Sequence, residues 1–274
     1  MIFFDYLEEI LECGDLNVKF DKFYDFYAKF CENLYKIPTN FTPKILKNPS
    51  YAKFCEVIDL KDAKKIKAQK QQKFLHSIAH IEYSAIDIAI DAVYRFGGSL
   101  GELSFDFCKD WLEVAKEEIS HFKMIENFMH KNEIKYGDLP VHNGLFIALS
   151  KTQNSLLERM AVIPRFMEAN GLDSNFFIMQ NLPKNSEILP ILKVILEEEI
   201  SHVKKGDKWF KIACKNLGFK NENFSEIWFK IVLKHYPKSF SQNRQINKND
   251  RLKAGFSQYE IDKMENKNEK NLFY

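Results

Sequence analysis

The sequence predicts an all-α fold: a four-helix bundle with one long crossover, plus N- and C-terminal helical extensions. Ten Gly and eight Pro are few for 274 residues, which favours long helices over a turn-rich β fold. Four long segments carry apolar residues at alternating three- and four-residue steps, the spacing of one helix face. The pentapeptide Glu-Glu-Ile-Ser-His occurs twice, as Glu117–His121 and Glu198–His202, which indicates two related halves.

Composition narrows the class of protein. The chain has 45% hydrophobic and 28% charged residues, which is typical of a globular protein. Its net charge of +2 does not indicate a polyanionic partner. The five cysteines are odd in number and form no Cys-x-x-Cys pair, which argues against a disulfide framework and a zinc or iron–sulfur site. No segment approaches the ~18–20 apolar residues of a membrane span, and no secretory signal opens the chain. We therefore expect a cytoplasmic protein without a membrane partner.

The first two predicted helices form a hairpin. They run from about Ala68 to Phe96 and from Ser104, an N-cap residue, to Asn132. Each has a glutamate, Glu82 or Glu118, in the middle of its apolar seam, where an ionised carboxylate is costly unless it is paired or binds metal. Both glutamates lie 18 residues from position 100, because 100 − 82 and 118 − 100 are equal. An antiparallel hairpin therefore brings them to one level.

The third and fourth predicted helices repeat this plan. The third runs from about Lys151 to Asn170 and stops at Gly171; its interior Pro164 predicts a kink or a local opening. The fourth runs from about Ser186 to Leu217. It carries Glu199 on one face, and Glu158 lies on the third helix at a similar distance from their common turn.

The predicted domains follow from these helices. Residues 1–66 form an N-terminal helical extension of two or three short helices, residues 67–218 form the bundle, and residues 219–274 form a C-terminal helix and a tail. Within the bundle, residues 133–150 are long enough to cross its full length at ~3.3 Å per residue. The polar tail from Ser241 is either an ordered arm or a frayed end.

The candidate metal ligands are four carboxylates and two imidazoles. They are Glu82, Glu118, His121, Glu158, Glu199 and His202. A Glu and a His three residues apart on a helix point the same way, and two Glu-x-x-His pairs with two further glutamates are the ligand set of a two-metal bundle site. Oxygen and nitrogen ligands without sulfur suit two iron ions, with manganese or a mixed iron–manganese pair as alternatives. The competing interpretation is a set of solvated acids with two incidental histidines.

Other polar residues receive secondary interpretations. Glu117 and Glu198 are candidates for accepting the second N–H of the ligand histidines, or they are plain surface acids. His76 and His80 are interpreted as surface groups or as neighbours of the ligands, not as ligands. The most basic stretch, Lys61–Lys73, is interpreted as a solvated helix start, with RNA phosphates as the alternative partner. No catalytic residue is predicted beyond the metal ligands.

The ordered set of ligand candidates resembles the ferritin-like di-iron superfamily. Three stretches are more narrowly similar to the DUF455 family of ferritin-like proteins: Ala79-His-Ile-Glu-Tyr-Ser-Ala-Ile-Asp-Ile-Ala, Glu158-Arg-Met-Ala-Val-Ile-Pro-Arg, and Arg251-Leu-Lys-Ala-Gly-Phe256. The resemblance implies a ferritin-like bundle and a di-iron site without naming a substrate. Ile125 stands where a ribonucleotide reductase small subunit carries its radical tyrosine, which argues against that role.

The favoured function is an O₂-dependent di-iron oxidase or hydroxylase. Its partners would be O₂ or peroxide, an unknown small metabolite or modified nucleoside, and an electron donor. The sequence does not decide between a monomer and a homo-oligomer. One alternative is ferroxidase activity or iron handling, and another is manganese-dependent peroxide removal. The non-enzymatic alternative is a metal-stabilised interaction scaffold.

Overall fold

Helices dominate the computed structural model, which describes residues 2–240 and 245–265, so the expectation of an all-α fold is confirmed. Strand pairing among these residues is confined to β1 (Val57–Ile58) and β2 (Val141–His142), which pair in parallel. None of the described helices is both long and apolar enough to cross a membrane. The chain divides into two compact units, Met1–Ser150 and Lys151–Tyr274.

A hairpin of two long helices forms the centre of the first unit. α3 (Lys70–Phe96) and α4 (Ser104–Lys131) pack against each other and have nearly the predicted bounds. Every residue of α3 from Glu82 to Phe96 is buried, as expected for a helix that is covered on all sides. The other helices of this unit are α1 (Phe3–Glu12), α2 (Leu16–Cys31) and α5 (Gly144–Lys151).

Aromatic side chains attach the N-terminal helices to this hairpin. α1 contacts α3, and α2 contacts α4. The chain breaks between α1 and α2 at Gly14, and the carboxylate of Asp15 caps α2 by accepting the N–H of Val18 at 3.0 Å. Phe3 of α1 and Phe26 of α2 pack with ring centroids 5.2 Å apart. The ring centroids of Phe4 and Tyr94 of α3 lie 6.5 Å apart, and those of Phe20 and Phe122 of α4 lie 5.7 Å apart. Burial of these aromatic faces therefore contributes to holding α1 and α2 on the hairpin.

The segment after α4 folds back onto the start of α3. Tyr136 Oη lies 2.9 Å from His80 Nδ1, and the N–H of Gly137 donates to His76 Nε2 at 3.0 Å. Further along, β2 pairs with β1, with Val141 opposite Val57. The first ten residues of the predicted crossover, 133–142, are therefore anchored to α3 by hydrogen bonds and to β1 by strand pairing.

The second unit begins with a helix that changes its winding. α6 (Leu156–Val162), a π-helical turn (Ile163–Glu168) and α7 (Ala169–Asn181) follow each other without a break. All three contact α8 (Leu189–Asn216). A π-turn widens the helix by one residue, and Pro164, which lacks a backbone N–H, lies at its start.

The prediction that the third helix stops at Gly171 is wrong. No atom lies within 4 Å of a Cβ built at this glycine, and the helix continues for ten more residues. The continuation is stabilised by Leu172, which is fully buried, and by Asp173, which pairs with Arg251 at 2.7 Å.

Close packing against α8 explains the position of Pro164. A Cβ added at Gly206 of α8 would lie 2.3 Å from the Cβ of Pro164, so only glycine allows this approach. The kink or opening that Pro164 predicts is therefore a π-turn fitted against a glycine.

Three helices complete the second unit: α9 (Phe224–His235), α10 (Lys248–Lys253) and α11 (Gln258–Glu265). Trp228 of α9 is fully buried, and its indole N–H donates to the carbonyl of Ala161 at 3.1 Å. Of the predicted tail, residues 245–265 contain the last two helices, while residues 241–244 and 266–274 lie outside the described residues.

Candidate metal centre

The hairpin of the first unit brings three of the predicted ligands together. His121 Nδ1 lies 3.1 Å from Glu82 Oε2 and 3.4 Å from Glu118 Oε2. Glu118 and His121 are completely buried, and Glu82 is 5% exposed. One ligand atom from each residue lies within 4.8 Å of the others, which is close enough for all three to bind one metal ion. Glu82 and Glu118 are equally many residues from the turn, and this spacing correctly predicted that they lie close together.

The electrostatics of this triad are set by the close contact of one imidazole with two carboxylates. Burial lowers the pKa of His121, but the hydrogen bonds and charges of Glu118 and Glu82 outweigh it and raise the pKa to about 11. Two carboxylates and one imidazole are thus grouped in a buried place, where a charged group is costly unless it is paired or binds metal. Their oxygen and nitrogen atoms are ligand types that suit a divalent ion.

The second unit carries the other Glu-x-x-His pair on α8. His202 is completely buried, and its Nδ1 lies 3.7 Å from Glu199 Oε1. Glu199 is half-buried. The pair has the orientation expected for residues three apart on one helix face. α8 begins at Leu189, has Pro190 in its first turn and stays helical through both residues, so the pair is held on a regular helix.

Glu158 pairs with two basic side chains of α9. Its Oε1 accepts a hydrogen bond from Lys234 Nζ at 2.6 Å, and its Oε2 lies 2.8 Å from His235 Nε2. Burial raises the pKa of Glu158, but these two bonds outweigh that effect and lower it. The structure thus places Glu158 in an ion pair within the second unit, and its role as a metal ligand stays a prediction.

The residues with secondary interpretations have mixed outcomes. Glu117 and Glu198 are half-buried, and their contact with a ligand histidine stays a prediction. The surface interpretation of His76 and His80 is wrong, because both are 3% exposed and hydrogen-bond to the crossover. Local periodicity did not indicate this burial, because their partners lie 56 and 61 residues away.

A buried ion pair close to Glu82 was missed by the sequence analysis. The ammonium of Lys19 bonds to the carboxylate of Asp87, and Ser50 Oγ donates to the same carboxylate at 2.6 Å. Ser50 also lies 2.8 Å from the hydroxyl of Tyr83. The signal was an aspartate on a helix that is apolar on all sides, since a buried carboxylate needs a partner. The cluster ties α2 and the residues around Ser50 to α3.

A second missed network involves the stretches that carry the family resemblance. Arg165 Nε donates to Asp207 Oδ1 at 2.7 Å, and its Nη2 lies 3.1 Å from both oxygens of Glu260. The same guanidinium stacks on Phe256, 4.7 Å from the ring centroid. The guanidinium of Arg251 also stacks on Phe256, with its central carbon 4.9 Å from the ring centroid. Two of the three stretches therefore meet in the core of the second unit.

Comparison with known proteins agrees with this resemblance. The family model described as "Protein of unknown function (DUF455)" matches residues 12–262. The chain is 31% identical over 273 residues to an uncharacterized protein of Haemophilus influenzae, across 95% of this chain and 92% of that protein. No solved structure matches the chain. By the family model and by this relative, the chain belongs to the DUF455 family.

Proposed function

We propose that this protein is a dimetal carboxylate oxidoreductase: an O₂-dependent oxidase or hydroxylase that acts on a small metabolite or a modified nucleoside. The proposed scaffold is a ferritin-like four-helix bundle, in which the hairpin of α3 and α4 supplies one half of the ligands. The proposed ligands are Glu82, Glu118, His121, Glu158, Glu199 and His202. The observation that carries the proposal is the buried triad of Glu82, Glu118 and His121.

The donors of the triad fit iron or manganese. Two carboxylates and one imidazole offer oxygen and nitrogen donors and no sulfur. Glu118 is completely buried, where a carboxylate is costly unless it is paired or binds metal and an aliphatic residue of its size would avoid that cost. A bound cation offsets that cost.

A pair of bound iron ions would supply the two electrons that reduce O₂. The protein's own contribution is to hold the ligands and the proton in place. His121 holds a proton at Nδ1 between the two carboxylates in the metal-free state and gives it up when a metal is bound. Lys234 and His235 contact the two oxygens of Glu158.

Metal content per chain is the first test. Protein purified from its own host without added metal should contain about two ions per chain, and His121→Ala should lose at least one of them. His130→Ala is the matched control, because His130 lies on the same helix but is exposed. Unchanged metal content in His121→Ala would refute the ligand assignment.

Reaction with O₂ separates the proposed oxidase from its alternatives. The reduced di-iron protein should be oxidised by O₂ within seconds to minutes, as followed by absorbance and Mössbauer spectra. Many irons per chain would instead indicate storage, and two manganese ions with oxygen evolution from peroxide would indicate peroxide removal. A bound metal that stabilises the fold but does not react with O₂ or peroxide would indicate a metal-stabilised interaction scaffold.

A further inference from the structure

A small cleft in the first unit lies between the basic stretch, the start of α3 and the crossover. It has a volume of about 120 Å³. Its polar lining consists of Lys73, His76, Ser77, His80 and His142, and its apolar lining includes Leu139 and Pro140. A cavity of about 150 Å³ accommodates benzene, so this cleft has room for a group of about five heavy atoms. It contains none of the proposed metal ligands.

The hydrogen bonds of His76 define its tautomer. Its Nε2 accepts two backbone N–H groups, from Gly137 at 3.0 Å and from Leu139 at 3.3 Å. A nitrogen that accepts cannot carry the proton, so the neutral ring is protonated on Nδ1. Burial also lowers the pKa of His76, which keeps the ring neutral. Its Nδ1–H has no partner among the described residues and remains a donor at the cleft.

His142 is oriented in the same manner. Its Nδ1 accepts the N–H of Gly144 at 3.3 Å, which places the proton on Nε2. Burial lowers the pKa of this half-buried imidazole. Between the two rings, His80 uses both nitrogens, since one faces Tyr136 Oη at 2.9 Å and the other donates to the carbonyl of His142 at 2.7 Å. The imidazoles therefore offer donors to the cleft and no free lone pair for a metal ion.

Positive charge completes the lining. Lys73 forms no ion pair within the described part of the chain, and the exposed Ser77 lies one turn further along α3. The stretch Lys61–Lys73 holds six lysines and one aspartate, a net charge of +5, which attracts anions to this face. Asp138 is the acid that acts on His76, but it does not line the cleft, and its carboxylate accepts the N–H of Lys135.

We propose that the cleft binds a phosphate group, either free phosphate or the phosphate of a small ester. The donors are Lys73 Nζ, His76 Nδ1, Ser77 Oγ and His142 Nε2. These four donors, of which only the Ser77 hydroxyl can also accept, match the oxygens of a phosphate, which accept several hydrogen bonds at once. The site gives the basic stretch a defined ligand, and it is independent of the proposed metal chemistry.

The test compares two lysines of one stretch. Calorimetric titration of the full-length protein with inorganic phosphate, at constant 0.1 M KCl, should show one site. Lys73→Gln should weaken binding about tenfold or more, because it removes a charge-assisted bond. Lys70→Gln removes the same charge from the same helix but does not line the cleft, and it should change the affinity less than twofold. Glycerol phosphate that binds more tightly than phosphate would identify an ester as the ligand, and equal affinity would identify free phosphate.

Nitrogen NMR of the histidine side chains provides a second readout that does not need a variant. Phosphate should shift the resonances of His76 and His142 and leave that of the exposed His130 unchanged. The proposal is overturned if phosphate at 20 mM shifts neither ring, or if both lysine variants weaken binding equally. If both variants bind phosphate equally weakly, the lysines form a diffuse surface that attracts polyanions. A short RNA should then compete with phosphate for that surface. Binding that is insensitive to Lys73→Gln would place the phosphate elsewhere, including on bound metal.

Discussion

Substituting Gly206 by alanine tests the packing of α8 against the π-turn. The change adds one methyl group to the interior of a regular helix. In an uncrowded helix this would be favourable, since alanine is preferred over glycine by about 0.8–1 kcal/mol. Here the new Cβ would lie 2.3 Å from the Cβ and 2.5 Å from the Cγ of Pro164.

The size of the effect follows from the rigidity of the partner. The pyrrolidine ring of Pro164 cannot rotate away, so the backbone of the π-turn or of α8 has to move. Overpacking of this kind costs about 1–3 kcal/mol. The upper part of that range applies to a rigid ring, and the helix preference of alanine offsets about 1 kcal/mol of it. We expect Gly206→Ala to lower the free energy of unfolding by about 2 kcal/mol.

Urea unfolding, followed by circular dichroism and by tryptophan fluorescence, measures this change. The matched control is Gly171→Ala on α7, where nothing lies within 4 Å of the added Cβ. That variant should raise the free energy of unfolding by about 0.5–1 kcal/mol. In a double-mutant cycle, Pro164→Ala should cancel most of the loss caused by Gly206→Ala. If Gly206→Ala stabilises the protein as much as Gly171→Ala does, the close contact is refuted.

Two further predictions concern charged groups. Arg165→Met should lower the free energy of unfolding by roughly 3–5 kcal/mol, because it leaves the buried Asp207 and Glu260 without their shared cation. Adding Glu260→Gln to this variant should recover part of the lost free energy. An unchanged midpoint of urea unfolding in Arg165→Met would contradict the prediction. Metal binding should release close to one proton at pH 7, because the hydrogen bonds of Glu118 and Glu82 outweigh burial and raise the pKa of His121 to about 11. Affinity for Mn²⁺ should therefore rise with pH up to about that pKa, and identical heats of binding in two buffers of different ionisation enthalpy would exclude the release.

The hairpin of α3 and α4 could be predicted because its determinants are local. A short turn forces the two helices to be antiparallel, and counting residues from that turn sets which side chains share a level. Glu82 and Glu118 could be identified because a carboxylate on an apolar seam is conspicuous in the sequence itself. The Glu-x-x-His spacing then placed His121 on the same side of α4 as Glu118.

Other features depend on partners far along the chain. The helix that contains Gly171 continues because Asp173 binds Arg251, 78 residues later. His80 is buried because Tyr136 and the carbonyl of His142 satisfy its nitrogens. Periodicity describes one helix at a time and contains no information about such pairs. The ion pair of Glu158 with α9 escaped prediction for the same reason.

The network around Arg165 has a consequence for synthesis on the ribosome. Asp207 follows Arg165 by 42 residues, but Glu260 follows it by 95. At 5–20 residues per second, the second carboxylate is made roughly 5–20 s after the arginine. Until Phe256 is made, the aromatic surfaces of Phe210 and Trp228 that stack on Arg165 lack their third neighbour. The second unit thus completes its core only when α11 has been translated, and a nascent chain halted before residue 256 should be a preferred substrate for chaperones and proteases.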